Sequence, residues 1–246
     1  MRAVRTGLAN FAVTLGVFVS TTFTTYALGP NLVTNGSFET PISTNNWGNN
    51  PSTWYAGQTF GGWTVIQGNV GLERAGLLNV AAGTAYDGVQ YVDLNGENAV
   101  GGIAQSIVIN DSGIYRLSFA MSGNTGNVNN YFPDSPRTMQ VRLSQGATNL
   151  YLNNFVWRRA DHPAHAGHGV VNGHSYSWHT VDILIPNPGV YTLSFVSLYT
   201  EGPYGGPILD DVRLQLVPEP ASLIALGSGV LGLWARRRLK ADRQEN

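Results

Sequence analysis

Cysteine is absent from all 246 residues, which removes both a disulfide framework and a thiol nucleophile. Charge is sparse, at 12% Asp, Glu, Lys and Arg. Between Leu28 and Val217 there is no lysine, and seven arginines (74, 116, 137, 142, 158, 159, 213) face twelve acids, a net charge near −5. A nucleic-acid partner needs a basic stripe, so the acidic body excludes that class. Helical periodicity is nearly missing from the same stretch. Also missing are a Gly-x-Ser-x-Gly elbow, a P-loop, a His-Glu-x-x-His pair and a dinucleotide fingerprint, so no enzyme class announces itself. A glycosidase needs two facing carboxylates at a set separation. Glu73, Asp87, Asp93 and Glu97 are available, but spacing does not pair them. Asp93 alternates with Val92 and Leu94, which suits a turn or a hydrogen-bond network better than catalysis.

What is present begins with the two ends. Arg2 and Arg5 precede an uncharged apolar and small-residue stretch, Leu8 to Phe23, and Thr25-Tyr26-Ala27 places small residues where a signal peptidase looks. Residues 1–27 therefore read as a secretory signal peptide. At the other end, Pro218, Glu219 and Pro220 stop any preceding strand, because proline lacks the amide donor. A 15-residue uncharged run follows, Ala221 to Ala235, and then Arg236, Arg237 and Arg238. The run is short against the roughly 20 residues that span a bilayer comfortably, and the arginines would hold its end in the cytoplasm. This order of triplet, short apolar helix and arginines resembles the PEP-CTERM sorting signal of Gram-negative bacteria. The resemblance implies an exosortase-type partner, transient anchoring in the inner membrane over residues 218–246, and a final place at the cell surface or outside it. The alternative is an ordinary tail anchor or a buried C-terminal helix.

Residues 28–217 suit one domain with a substantial core. Short alternating runs, punctuated by Gly, Asn and Pro about every ten residues, predict an all-β sandwich or barrel. The expected strands are Trp63 to Ile66, Gln90 to Leu94, Ile103 to Ile109, Gly113 to Met121, Thr138 to Ser144, Asn149 to Phe155, Trp178 to Ile185, Val190 to Leu198 and Ile208 to Leu216. Two segments share Gly-x-Tyr-x-Leu-Ser-Phe, at 113–119 and 189–195. Period two puts their Tyr, Leu and Phe on one face, as in equivalent core strands.

Five weaker motifs occur in order: Asn31 to Glu39, Gly61 to Val65, Gln90 to Gly96, Ile103 to Gln105, and the closing Gly202 to Leu214. Together they resemble the choice-of-anchor C family and, more loosely, the galactose-binding-like jelly rolls of carbohydrate-binding modules. The resemblance implies a two-sheet antiparallel jelly roll. It also implies a structural calcium at Glu39 and Asp210, whose counterparts in related jelly rolls help hold that ion. Period two places Asp210 on one face with Ile208, Val212 and Leu214, where a lone carboxylate is costly unless paired. Hard oxygen ligands suit Ca²⁺. The alternative is that Asp210 accepts backbone or arginine hydrogen bonds while Glu39 is a solvated loop residue.

All five histidines (162, 165, 168, 174, 179) lie between Arg158 and His179. His162, His165 and His168 form a candidate transition-metal set, weighed against a solvated Gly-, Pro- and Ala-rich loop. Trp47, Tyr131, Trp157, Tyr199 and Tyr204 sit in or beside expected loops, where rings can stack on sugars or can cap the core. The sequence thus predicts an exported, exosortase-processed, non-catalytic β-sandwich protein that binds polysaccharide. Two alternatives remain: an adhesive matrix protein whose partners are proteins, and a metal-dependent hydrolase.

Overall fold

The computed structural model describes residues 27–43, 53–74, 85–97, 99–124, 126–127, 130–131, 135–162, 175–201 and 205–218. The strands are β1 (Thr53–Tyr55), β2 (Thr59–Phe60), β3 (Trp63–Gln67), β4 (Asn69–Arg74), β5 (Gln90–Asp93), β6 (Gly102–Ile109) and β7 (Gly113–Gly123). They continue with β8 (Gly126–Asn127), β9 (Asn130–Tyr131), β10 (Arg137–Gln145), β11 (Thr148–Trp157), β12 (Ser177–Ile185), β13 (Gly189–Ser197) and β14 (Pro207–Leu216). Sheet A runs β1-β4-β5-β14-β7-β12, sheet B runs β11-β10-β13-β6-β3-β2, and β8-β9 is a small hairpin. All pairings are antiparallel. The fold is a two-sheet jelly-roll sandwich, and all nine expected strands are among its elements.

The two sheets close on each other through the near-repeated strands. Tyr115, Leu117 and Phe119 of β7 and Tyr191, Leu193 and Phe195 of β13 all belong to the buried core. Phe119 meets Phe195 edge-on at 5.5 Å across the sandwich. Each tyrosine hydroxyl donates to the carbonyl four residues upstream, Tyr115 to Asp111 (2.9 Å) and Tyr191 to Asn187 (2.5 Å). The shared heptapeptide therefore builds the same device once in each sheet, with a ring inside and its polar end tied to the preceding turn. Ser118 and Ser194, on the opposite faces, are buried as well.

The opening segment is not a strand but runs beside β14. Gly29 and Leu32 donate their amides to Leu216 and Leu214, and Asn31 Oδ1 accepts from Leu214 N. The Asn31 amide donates to Val212 O, and Val212 N donates to Gly36 O. Gly36 permits this approach because a Cβ there would run into the Val212 carbonyl.

The last strand departs from simple alternation. Asp210 pairs with Ala120 but Arg213 with Ser118, so β14 carries one extra residue. Asp211 takes φ 45° there, the left-handed conformation that Asp adopts more readily than most residues. The extra residue switches faces. Leu209, Val212 and Leu214 face the core, whereas Ile208 and Asp210, level with Ser122 and Ala120, lie on the outer face of sheet A. Asp210 is thus fully buried, but not on the face that it was expected to share with Val212 and Leu214.

Candidate functional site

Glu39 and Asp210 act on one segment, residues 86–90. Asp210 Oδ2 accepts from Tyr86 N (2.7 Å) and Asp87 N (3.0 Å), and its Oδ1 from Asp211 N (2.7 Å). Glu39 Oε1 accepts from Val89 N and Gln90 N, both at 2.8 Å. Gly88 sits against the Glu39 carboxylate, at φ 71°, where a Cβ would collide with it. The two side chains expected to hold calcium therefore spend three of their four oxygens on five backbone amides, and those on Glu39 Oε1 and Asp210 Oδ2 fill both lone pairs. A calcium shell needs six to eight oxygens. Among the described residues no three of His, Cys, Asp and Glu converge on a metal position, so this pair fits an amide clamp rather than a calcium cage. Burial outweighs the amide bonds and pushes Asp210 up to about 7.

Of the histidine set, His165 and His168 lie outside the described residues, as does His174. His162 follows a short 3-10 turn, Arg159–Asp161. Its ring stacks on Trp157 at 5.1 Å and 12°, with Nε2 at 3.1 Å from Ser177 Oγ. His179 points inward between Phe119 and Phe155, at 5.2 and 4.8 Å. Partial burial lowers the pKa of both imidazoles. Each described histidine makes an aromatic contact, and they are not brought together.

Two expected ligand aromatics need correction. Trp157 is 1% exposed and its indole N–H donates to Ser175 O. Its ring occupies space that only a glycine at 123 leaves open. Tyr199 is 2% exposed and lies under the Arg137 guanidinium at 4.3 Å. Both are packed inside, Trp157 against Gly123 and Tyr199 against Arg137. Tyr131 belongs to β9, and Trp47 and Tyr204 lie outside the described residues.

The exposed aromatics are elsewhere. On the outer face of sheet A, Trp178 of β12 is 42% exposed and Tyr86 is 47% exposed. Their rings stack at 5.4 Å and 15°. Tyr176 meets Tyr86 edge-on at 5.5 Å, and the Arg213 guanidinium lies 5.8 Å from the Trp178 ring. Arg213 is itself held by both oxygens of Asp211, at 2.7 Å each. The platform therefore exists because the clamp pins Tyr86 beside β12.

The same face carries acids. Asp93 of β5 stands opposite Gly71 of β4 and Ile208 of β14. It accepts from Asn95 N (2.8 Å) and from the Asn124 amide (2.7 Å). Glu73 stands opposite Tyr91 and folds back over Gly71, where a Cβ would lie 2.6 Å from its Oε1. Burial, then Asp93 and Glu97, push Glu73 up to about 7, and burial pushes Asp93 up to about 6. Burial also raises the Tyr91 phenol well above its usual range. This is the network role expected for Asp93. Glu73 was noted in the sequence, but its neighbourhood with Asp93 depends on the β4–β5 register.

The C-terminal segment matches the family model of the PEP-CTERM protein-sorting motif over residues 216–238. The chain therefore carries that motif, the mark of an exported, surface-targeted protein in Gram-negative bacteria. Of its expected signal residues, Pro218 is described, and Glu219, Pro220 and Arg236 to Arg238 lie beyond the described residues, as do residues 1–26 of the signal-peptide segment. Among the described residues, no helix is long and apolar enough to cross a membrane. No curated protein matches the chain in sequence. Among solved structures, it is similar to TmCBM61 in complex with β-1,4-galactotriose, at 14% identity and TM-score 0.45 over 76% of this chain and 98% of that one. A family 35 carbohydrate binding module from Clostridium thermocellum is 15% identical, with TM-score 0.39, over 68% of this chain and 100% of that one. A third, the module CBM6cm-2 from Cellvibrio mixtus lichenase 5A in complex with cellotriose, is 9% identical, with TM-score 0.38, over 77% of this chain and 100% of that one.

Proposed function

We propose that this protein is an exosortase-processed, non-catalytic module that binds polysaccharide outside the cell through the outer face of sheet A. The observation that carries the reading is the half-exposed Tyr86–Trp178 stack beside Arg213, which Asp211 holds in place. Sugar rings present apolar C–H faces that pack on aromatic planes, while carboxylates and a guanidinium accept from and donate to their hydroxyls. Large rings left this exposed on a sheet face gain little for the fold, which favours a ligand role over a core role. The aromatic stack is the apolar half of such a site, and the Arg213 guanidinium is the polar group nearest to it.

The test is affinity electrophoresis through gels containing different polysaccharides, including the exopolymer of the host. Retardation by one polymer, relieved in Trp178→Ala and Tyr86→Ala, is the expected result. Unchanged mobility of the folded protein in every gel would replace this reading with the adhesive protein that binds other proteins. Release of reducing ends that a chelator abolishes would replace it with the hydrolase.

A further inference from the structure

The two main sheets end in four edge strands, β1 and β12 in sheet A and β11 and β2 in sheet B. An edge with free amides and carbonyls invites pairing with another chain unless it is blunted. Three of the four are blunted here. β1 and β2 have only three and two residues. β11 is long, but a register shift breaks its ladder with β10 beside Ser144, and its Asn154 amide is taken by Asn153 Oδ1 at 2.9 Å. β12 has none of these devices. It reads Ser-Trp-His-Thr-Val-Asp-Ile-Leu-Ile, without lysine, proline or glycine, and pairs with β7 in unbroken register over all nine residues. Among the described residues, no strand or loop backbone bonds its free side. Its one acidic side chain, Asp182, is matched by the Arg116 guanidinium of β7 at 2.8 and 2.9 Å, so it does not repel a second strand.

β12 is also complementary to itself. Trp178, Thr180, Asp182 and Leu184 alternate onto the outer face. A second β12, laid antiparallel about a two-fold axis at Val181, sets Trp178 opposite the partner's Leu184 and Thr180 opposite the partner's Asp182. Trp178 and Leu184 are 42% and 68% exposed, and Ile114, level with Leu184 on β7, is 48% exposed. That pairing joins exposed apolar side chains and gives each Thr180 hydroxyl a carboxylate to donate to. Moving the axis by one residue destroys the match. At Thr180 it sets Trp178 against the partner's Asp182, and at Asp182 it sets two like charges face to face. We propose that β12 is a dimer edge, at which two copies of this chain pair antiparallel about Val181 and join their A sheets into one. The interface is isologous, as a two-fold dimer requires. Neighbouring strands carry their side chains side by side, so the two Tyr86–Trp178 stacks lie on one continuous face. The inference concerns assembly and holds whether or not that face takes a glycan.

The chain has no cysteine, so introduced thiols report the register. Opposite residues of an antiparallel pair have Cα atoms about 4.5–5.5 Å apart, within the span of about 4.4–6.8 Å that a disulfide bridges. Full-length Thr180→Cys and Asp182→Cys, mixed and mildly oxidised, should form the mixed disulfide dimer. Either variant alone leaves its thiols diagonal, about 7–8 Å apart, and should crosslink far less. Sedimentation of the full chain, with its apolar tail held in detergent, completes the test. Wild type and Ile66→Lys, a change on the exposed face of sheet B, should both dimerise. Leu184→Lys alters a side chain that the fold leaves exposed, and should raise the dissociation constant at least roughly tenfold. The proposal is overturned by a wild-type monomer at the highest concentration reached, by an unweakened dimer in Leu184→Lys, or by no more mixed disulfide than either variant gives alone. A dimer joined through the tails produces the last two results, and a strand supplied by a different protein produces the first.

Discussion

Changing Asp210 to Ala tests the amide clamp. The substitution strips the acceptors from three backbone donors, those of Tyr86, Asp87 and Asp211. Each buried donor left unmade costs about 1–3 kcal/mol. The Tyr86 and Asp87 amides can recover by lifting towards water, at the expense of the Tyr86–Trp178 stack. The Asp211 amide sits in the bulge at φ 45° and has less freedom to move. A total of about 3–4 kcal/mol is therefore expected, a fall in Tm of roughly 6–15 °C for a domain of this size. Asp210→Asn keeps one oxygen for one side of the clamp and should cost about half as much. Urea unfolding with linear extrapolation measures both. Polysaccharide retardation should weaken in Asp210→Ala although Asp210 itself is fully buried. Loss of less than about 1 kcal/mol would refute the clamp, since nothing smaller accounts for three abandoned amides.

Two further outcomes follow from the same geometry. Glu73 and Asp210 are pushed up to about 7 and Asp93 to about 6. The folded chain therefore holds protons that the unfolded chain gives up near pH 4, so stability should be highest below that point, fall as pH rises to about 7, and then level. Melts from acid to neutral pH that show stability rising instead would refute the assignment. Gly123→Ala would drive a Cβ into the Trp157 ring and within 2.7 Å of Arg137 Cγ. Overpacking of about 2–3 kcal/mol is expected in urea melts, and a neutral result would show that Trp157 is free to move.

The long strands were legible because each buries one face, and burying one face writes period two into the residues. The Tyr, Leu and Phe of the repeated heptapeptide announce the core of β7 and of β13 for that reason. Shorter elements leave less trace. β1 and β2 have three and two residues, too few for alternation to show. β4 reads Asn-Val-Gly-Leu-Glu-Arg, and its Gly71 and Glu73 lie on the outer face of sheet A, opposite Asp93 and Tyr91, rather than in the core. The bulge explains the misplaced Asp210: one extra residue reverses every inference carried past it. Adjacent aspartates were the available signal, since Asp tolerates positive φ. Tyr86 and Trp178 are brought together only by the fold and the clamp, and no local pattern encodes that contact.

One strand accounts for how these features fit together. At its start, β14 lies beside Asp93, with Ile208 opposite that acid and Leu94 donating to Pro207 O. In its middle, the bulge supplies Asp210 to the clamp and Asp211 to Arg213, which positions the aromatic platform. At its end, Leu216 pairs with Tyr115, and Val217 N donates to Ile114 O. The sorting motif starts at residue 216, so its Pro218 follows the strand with almost no linker. A ten-residue strand is roughly 30 Å long, and the acids and the tail leave it at opposite ends. Attachment through that tail would therefore leave the Asp93 end of sheet A farthest from the attachment point. Proline at 218 contributes to that separation, because it has no amide with which to extend the ladder into the tail.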